Sequence, residues 1–241
     1  MRRFWVVMMV MSVLVLGVAA QDAPAAEEVV QVEASDGLAL VGALHRPAEL
    51  AEGGAPALLL MHQNQSRRAS WEPLIPTLTE AGYVVLAVDL RGHGETGGRA
   101  DWALAQDDTQ RWLAYLQTVE GVNPEQLATL GASIGSNLAL VGCAANEACV
   151  TAVALSPGLD YFGVQPEAAV SDGLRRRSAL LVASRSDSDS AEAVRQMAGS
   201  SGGPLGVRVY TGFSHGTELF EDHGDGLRAL IGLWLAEAFA E

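Results

Sequence analysis

Bases and cysteine are both scarce in this chain. Fifteen basic residues, every one an arginine, stand against 29 acids in 241 residues, a formal net charge of −14. An acidic surface of that kind disfavours nucleic acid and anionic membrane surfaces as partners. With two cysteines there is no paired C-x-x-C framework, and no H-E-x-x-H occurs, so no resident metal is expected. A phosphate loop and a dinucleotide fingerprint are also missing, which leaves no expected cofactor. The lack of lysine carries no functional reading of its own. The basic run Arg175-Arg176-Arg177 reads as a solvated helix end in preference to an anion patch.

An apolar fraction of 49% with 18% charged residues suits a folded domain with a core large enough to need no metal or crosslink. The length fits one domain, placed at residues 29–241. Residues 1–20 read as a signal peptide: Arg2 and Arg3, an apolar run from Phe4 to Val18, then the small residues Val18-Ala19-Ala20 before Gln21. The run is short for a spanning helix, so the protein is expected outside the cytoplasm, periplasmic or extracellular. Membrane contact is expected only if that segment is not cleaved. Residues 21–28 read as an Ala/Pro/Glu linker. Export makes a disulfide between Cys143 and Cys149 one reading, with a pair of buried thiols the other.

Val29–Ala34 and Leu38–His45 alternate around Ser35-Asp36-Gly37, which predicts an antiparallel hairpin. A continuous apolar run follows at Ala57–Met61, and further strands are predicted over Tyr83–Val88, Gln126–Leu130, Val150–Leu155, Ala179–Ala183 and Gly206–Tyr210. Such runs suit strands covered on both faces. Helical spacing separates them over Pro73–Ala81, Thr109–Val119, Ile134–Cys143 and Ala191–Ala198, and closes the chain over Leu227–Phe239. The fold class expected is α/β: a mostly parallel, doubly wound sheet of about eight strands behind an antiparallel hairpin.

Gly131-Ala132-Ser133-Ile134-Gly135 fits G-x-S-x-G and lies between a strand and a helix. A serine on so tight a turn projects clear of both elements, and the positions two away must be nearly bare; Gly131 and Gly135 meet that need. The helix N-terminus beneath Ser133 favours the negative charge that develops in acyl transfer.

From about Val29 to Phe239 the chain resembles an α/β-hydrolase, and within that superfamily the dienelactone-hydrolase and small-esterase group. Asp89-Leu90-Arg91-Gly92-His93-Gly94 is similar to the family's D-x-R-G-H-G loop, which implies that His93 supports the site and does no chemistry. The resemblance places the triad histidine after the last strand, at His215 in Gly212-Phe213-Ser214-His215-Gly216, ahead of the later His223. It places the acid after the strand Ala179–Ala183, at Asp187 in preference to Asp189. The order Ser…Asp…His also fits. The backbone N–H of Ile134 is the expected first oxyanion donor. The second is expected from Asn64, with Gln63 left open, because Gln63 stands where the family commonly has glycine after His62.

These assignments imply a serine hydrolase that cleaves a carboxylic ester or lactone through an acyl-enzyme. A peptidase or amidase on the same scaffold and a non-catalytic binding protein of the fold stay open. Only a short stretch lies between Ser156 and Ser178, so little or no cap and an open site are expected. Trp71, Tyr161 and Phe162 fall where they could wall a pocket for a small-molecule ester.

Overall fold

The computed structural model describes residues 27–240. The expected leader over residues 1–20 and, apart from Glu27 and Glu28, the linker over 21–28 lie outside the described residues. Strands β1 (Glu28–Glu33) and β2 (Ala39–His45) form the hairpin, with Val30 opposite Gly42. Strand β3 (Ala55–Met61), helix α1 (Ile75–Glu80) and strand β4 (Val84–Val88) follow. Then come α2 (Trp102–Thr118), β5 (Val122–Ala132), α3 (Ile134–Ala144) and β6 (Cys149–Leu155). The chain closes with β7 (Ser178–Ser184), α4 (Ser188–Ser200), β8 (Leu205–Tyr210) and α5 (Leu219–Ala238). This is the expected α/β class.

The strands lie in the order β1-β2-β4-β3-β5-β6-β7-β8, with β2 antiparallel to β4 and the later pairings parallel. Successive side chains of a strand point to opposite faces, and here both faces are covered. Leu58, Leu60, Val85 and Leu130 pack against α1 and α5 through Leu78, Leu227 and Ile231. Leu59, Met61 and Leu86 pack against α2 and α3 through Trp112, Leu116 and Leu138. That is why central strands such as β3 and β4 read as apolar runs, whereas the edge strands β1 and β8 stay largely exposed. The chain moves outward from β3 to β4, then returns to β5 on the other side of β3. In open α/β sheets such a reversal leaves a crevice at the carboxyl ends of the two strands, and here those ends are Met61 and Ala132.

Two helices begin earlier than their apolar spacing suggests. Helix α2 starts at Trp102 because the Asp101 side chain accepts from the amides of Ala103 and Leu104, an N-cap that the weak pattern of Ala103–Asp108 does not advertise. Helix α5 begins at Leu219 and bends at His223 (φ −130°, ψ 17°). Between β6 and β7 the chain makes only a short helical turn, Ala169–Gly173.

Cys143 and Cys149 are joined by a disulfide between the end of α3 and the start of β6. Beside it Arg177 turns inward, against the expectation of a solvated run. Its guanidinium donates to the carbonyls of Cys143, Asn146, Cys149, Ala144, Gly173 and Leu174, so it caps α3 while Arg175 and Arg176 stay exposed.

The loop after β4 is held by buried charge. Arg91 donates through Nε (2.6 Å) and Nη2 (2.8 Å) to Asp108 of α2, and through Nη1 to Asp36 of the hairpin turn (2.9 Å). Asp89 accepts from the amides of Arg68 (2.8 Å) and Glu95 (2.9 Å). Removing one partner of a buried ion pair leaves an uncompensated charge. Asp108→Ala is therefore expected to lower unfolding stability in urea by about 3 kcal/mol; an unchanged midpoint would show that Asp36 alone satisfies Arg91.

Candidate active site

Ser133 sits between β5 and α3 at φ 52°, ψ −122°, a region unfavourable to any residue with a Cβ. A Cβ on Gly131 would fall 1.9 Å from the carbonyl oxygen of Gly135, and one on Gly135 would fall 2.3 Å from that of Met61. Neither position admits a side chain. The turn is pinned by the Ser133 amide, which donates to Leu155 of β6 (2.8 Å), and by the Ser136 amide, which donates back to Ser133 (2.8 Å). Ser133 is half-buried at the carboxyl end of the sheet, and Ile134 opens α3 directly behind it. First-turn amides of a helix have no partner within it.

His215 follows β8, and its Nδ1–H donates to Asp187 Oδ2 at 2.7 Å. Asp187 precedes α4 at the end of β7. Burial raises the Asp187 carboxyl, but hydrogen bonds from His215, Ser190 and Ser156 outweigh it and hold the group below the usual carboxylate value. Asp189 accepts instead from its neighbour Ser188 (3.4 Å). His223 Nε2–H donates to the Thr211 carbonyl (2.9 Å) while its ring stacks on Tyr210 at 4.3 Å, which commits it to the base of the loop. With Nδ1 of His215 engaged by a carboxylate, Nε2 is left as the free basic nitrogen.

The histidine loop is tied at several points. Ser184 Oγ donates to the Ser214 carbonyl (2.7 Å), and the Gly216 amide donates to Ser156 Oγ (2.9 Å). Ser156, like Ser133, has a positive φ, 53°. Neither Ser156 nor Ser190 is marked in the sequence, since serines around a carboxylate form no motif.

The loop after β3 presents its amides under the control of two histidines. His62 is fully buried; its Nδ1–H donates to the Gln63 carbonyl (2.6 Å) and its Nε2 accepts from the Leu90 amide (3.0 Å). In a trans peptide the N–H points opposite the C=O, and among the described residues there is no cis peptide. The Asn64 N–H is thus turned away from the buried imidazole. His93 Nε2 accepts from the Gln65 amide (3.1 Å), and its Nδ1–H donates to the Arg91 carbonyl (3.1 Å). The Asn64 side-chain Oδ1 also lies 3.0 Å from Nε2 of this ring. Both rings brace backbone, as the resemblance implied for His93.

Of the three expected pocket walls, one is corrected. Trp71 is wholly buried and packs edge-on against Phe220 at 6.1 Å, so it belongs to the core. Tyr161 lies edge-on to His215 at 6.4 Å. Burial raises its phenol, and the hydroxyls of Ser190 and Ser133 pull it back. Phe162 is exposed at φ 54° and stacks on Trp102 at 5.2 Å. Trp102 also lies 5.9 Å from the His93 ring. Its place beside Phe162 and His93 is hidden in the sequence, because the spacing starts α2 only at Thr109.

A family model described as alpha/beta hydrolase fold matches residues 56–199. The protein YfhR of Salmonella typhimurium is 32% identical over 157 residues, covering 58% of this chain and 52% of that one. Epoxide hydrolase A of Mycobacterium tuberculosis is 36% identical over 92 residues, 38% of this chain and 28% of its own. The chain spans about half the length of the YfhR relatives it matches. The esterase Pf2001 of Pyrococcus furiosus superposes with a TM-score of 0.75 at 17% identity, covering 94% of this chain and 96% of that one. A dienelactone hydrolase from Anabaena variabilis gives 0.73 at 20%, covering 89% and 99%.

Burial lowers the His62 imidazole from 6.5 to about 4, with its bond to Gln63 opposing. The unfolded imidazole takes its proton near the ordinary value and the folded one only near 4. Between those limits the unfolded state binds more protons, so stability falls as pH drops. Burial lowers His45 in the same sense, whereas the Asp187 carboxyl adds its loss at more acid pH. We expect His62 to remove about 2 kcal/mol between pH 7 and pH 5, read from urea midpoints. His62→Gln should flatten that slope; equal slopes would assign it to other groups.

Proposed function

The chain belongs to the alpha/beta hydrolase fold family, and from that premise we propose that it is a serine hydrolase that cleaves carboxylic esters or lactones. The observation that carries the proposal is the 2.7 Å bond from His215 to Asp187 at the rim where the Ser133 turn stands. In this reading Ser133 is the nucleophile, His215 the base and Asp187 the acid that keeps the imidazole in the Nδ1–H form.

Catalysis then runs in two halves. Nε2 of His215 takes the Ser133 proton as Oγ bonds to the ester carbonyl carbon. The resulting oxyanion is held by the amides of Ile134 and Asn64; one such donor is worth about 3 kcal/mol. The carbon–alkoxy bond breaks, and His215 returns the proton to the departing alcohol. Water then gives its proton to His215 and attacks the acyl carbon, and Ser133 leaves with that proton.

In this reading Tyr161, edge-on to His215, and the Phe162–Trp102 stack supply an apolar wall for the acyl group. With only the turn at Ala169–Gly173 between β6 and β7, the reading favours small soluble esters. Action outside the cytoplasm is part of the same proposal. It rests on the leader pattern of residues 1–20, and the Cys143–Cys149 bond is of a kind that persists in oxidising compartments.

A fluorophosphonate probe should label the purified protein and not Ser133→Ala, and the same substitution should abolish turnover of p-nitrophenyl acetate. Asp187→Asn should keep the fold and lower kcat by roughly 10^3- to 10^4-fold. Unchanged ester turnover in Ser133→Ala would sink the assignment. Faster turnover of a peptide anilide than of the ester would move it to the amidase class.

A further inference from the structure

Gln63 stands where the resemblance would have glycine, and nothing in the proposed chemistry uses its side chain. The side chain is nevertheless engaged. Its Oε1 accepts from the Thr217 hydroxyl at 2.9 Å and from the Thr217 amide at 3.4 Å. Thr217 is buried two residues after His215. The backbone of Gln63 is held as well, since its carbonyl accepts the buried His62 Nδ1–H at 2.6 Å. One residue is thus gripped at both ends: by the strand end beneath it, and by the loop that carries the histidine.

The fit around this contact is close. A Cβ on Gly216, which has φ 60°, would lie 3.1 Å from Gln63 Oε1 and 3.3 Å from the Ala132 Cβ, next to Ser133. Glycine at 216 therefore lets the glutamine amide pass between the serine turn and the histidine loop. The three segments 62–64, 132–134 and 215–217 meet here.

We propose that Gln63 is a positioning residue, a brace that fixes the oxyanion-donating Asn64 amide relative to the His215 loop through Thr217. The inference rests on the serine-hydrolase reading above. The peptide linking Gln63 to Asn64 carries the donor N–H, and its plane is set by the His62 contact on one side and the side-chain brace on the other. In relatives with glycine at this position no side chain can form the link, so register between the two loops must be held by other contacts. Here a neutral amide does it without adding charge beside the imidazole.

The test compares Gln63→Leu, Thr217→Val, their combination and Gln63→Glu, each with thermal unfolding, kcat and KM for p-nitrophenyl acetate, and the rate of fluorophosphonate labelling. Gln63→Leu and Thr217→Val should each lower kcat and the labelling rate by about 10- to 100-fold, with KM nearly constant, because a small misplacement of the reacting groups slows the chemistry. The combined variant should lose no more than the worse single one, since both remove the same contact. Gln63→Glu keeps an acceptor for Thr217 and should restore most of kcat. Its carboxylate should also move the acid limb of the pH–rate profile upward by favouring the imidazolium. Should Gln63→Leu fail to fold, Thr217→Val and Gln63→Glu carry the comparison. Wild-type rates in the folded variants, or losses that multiply in the double variant, would overturn the brace. A wild-type protein that no fluorophosphonate labels would overturn the hydrolase reading beneath it.

Discussion

The backbone at Ser133 is the constraint on which the rest of the site depends. A residue with a Cβ held at φ 52° persists only where its surroundings over-determine it. The means are local and mutual: β6 takes the serine amide, the first turn of α3 takes its carbonyl, and two glycines let the flanking backbones approach within contact. One of those contacts runs from Gly135 to the carbonyls of Met61 and His62. The serine turn and the loop that carries Asn64 are therefore positioned by the same close approach.

Around this centre the protein uses histidine rings and buried ion pairs for different tasks. His62 and His93 orient backbone amides and accept or donate at fixed nitrogens, which requires each ring to keep one tautomer. Arg91 instead ties three distant pieces of chain, the hairpin turn, the loop after β4 and helix α2, into one frame. Removing either carboxylate would leave the buried guanidinium less compensated, so the three segments are held to one arrangement.

Most of the sheet is legible in the sequence, because each central strand is covered on both faces and must read as an apolar run. The glycines around Ser133 are legible for a similar reason, since sterics leave no alternative. What escapes is information held by polar contacts between remote segments. Trp102 looks like a loop residue until Asp101 caps the helix beneath it. Trp71 looks like a pocket wall because its burial against Phe220 depends on α5 beginning eight residues before its apolar spacing does. Arg177 looks like part of a solvated run, and only the meeting of α3, β6 and the turn before β7 reveals the carbonyls it serves. Ser156 and Ser190 carry no pattern at all. Sequence periodicity reports burial, and it is silent about which hydroxyl faces which carboxylate.

The carbonyl cluster around Arg177 bears on how the chain could be chemically tailored. A guanidinium offers five donors in a plane, and an ammonium offers three at a single point. Six acceptors spread over two chain segments and a helix end suit only the former. Anyone wishing to give this lysine-free protein a reactive amine for immobilisation or dye coupling should therefore turn to exposed arginines such as Arg195. Arg177 and Arg91 should be left alone: their charge is shared with the reagents' usual targets, but their geometry is not.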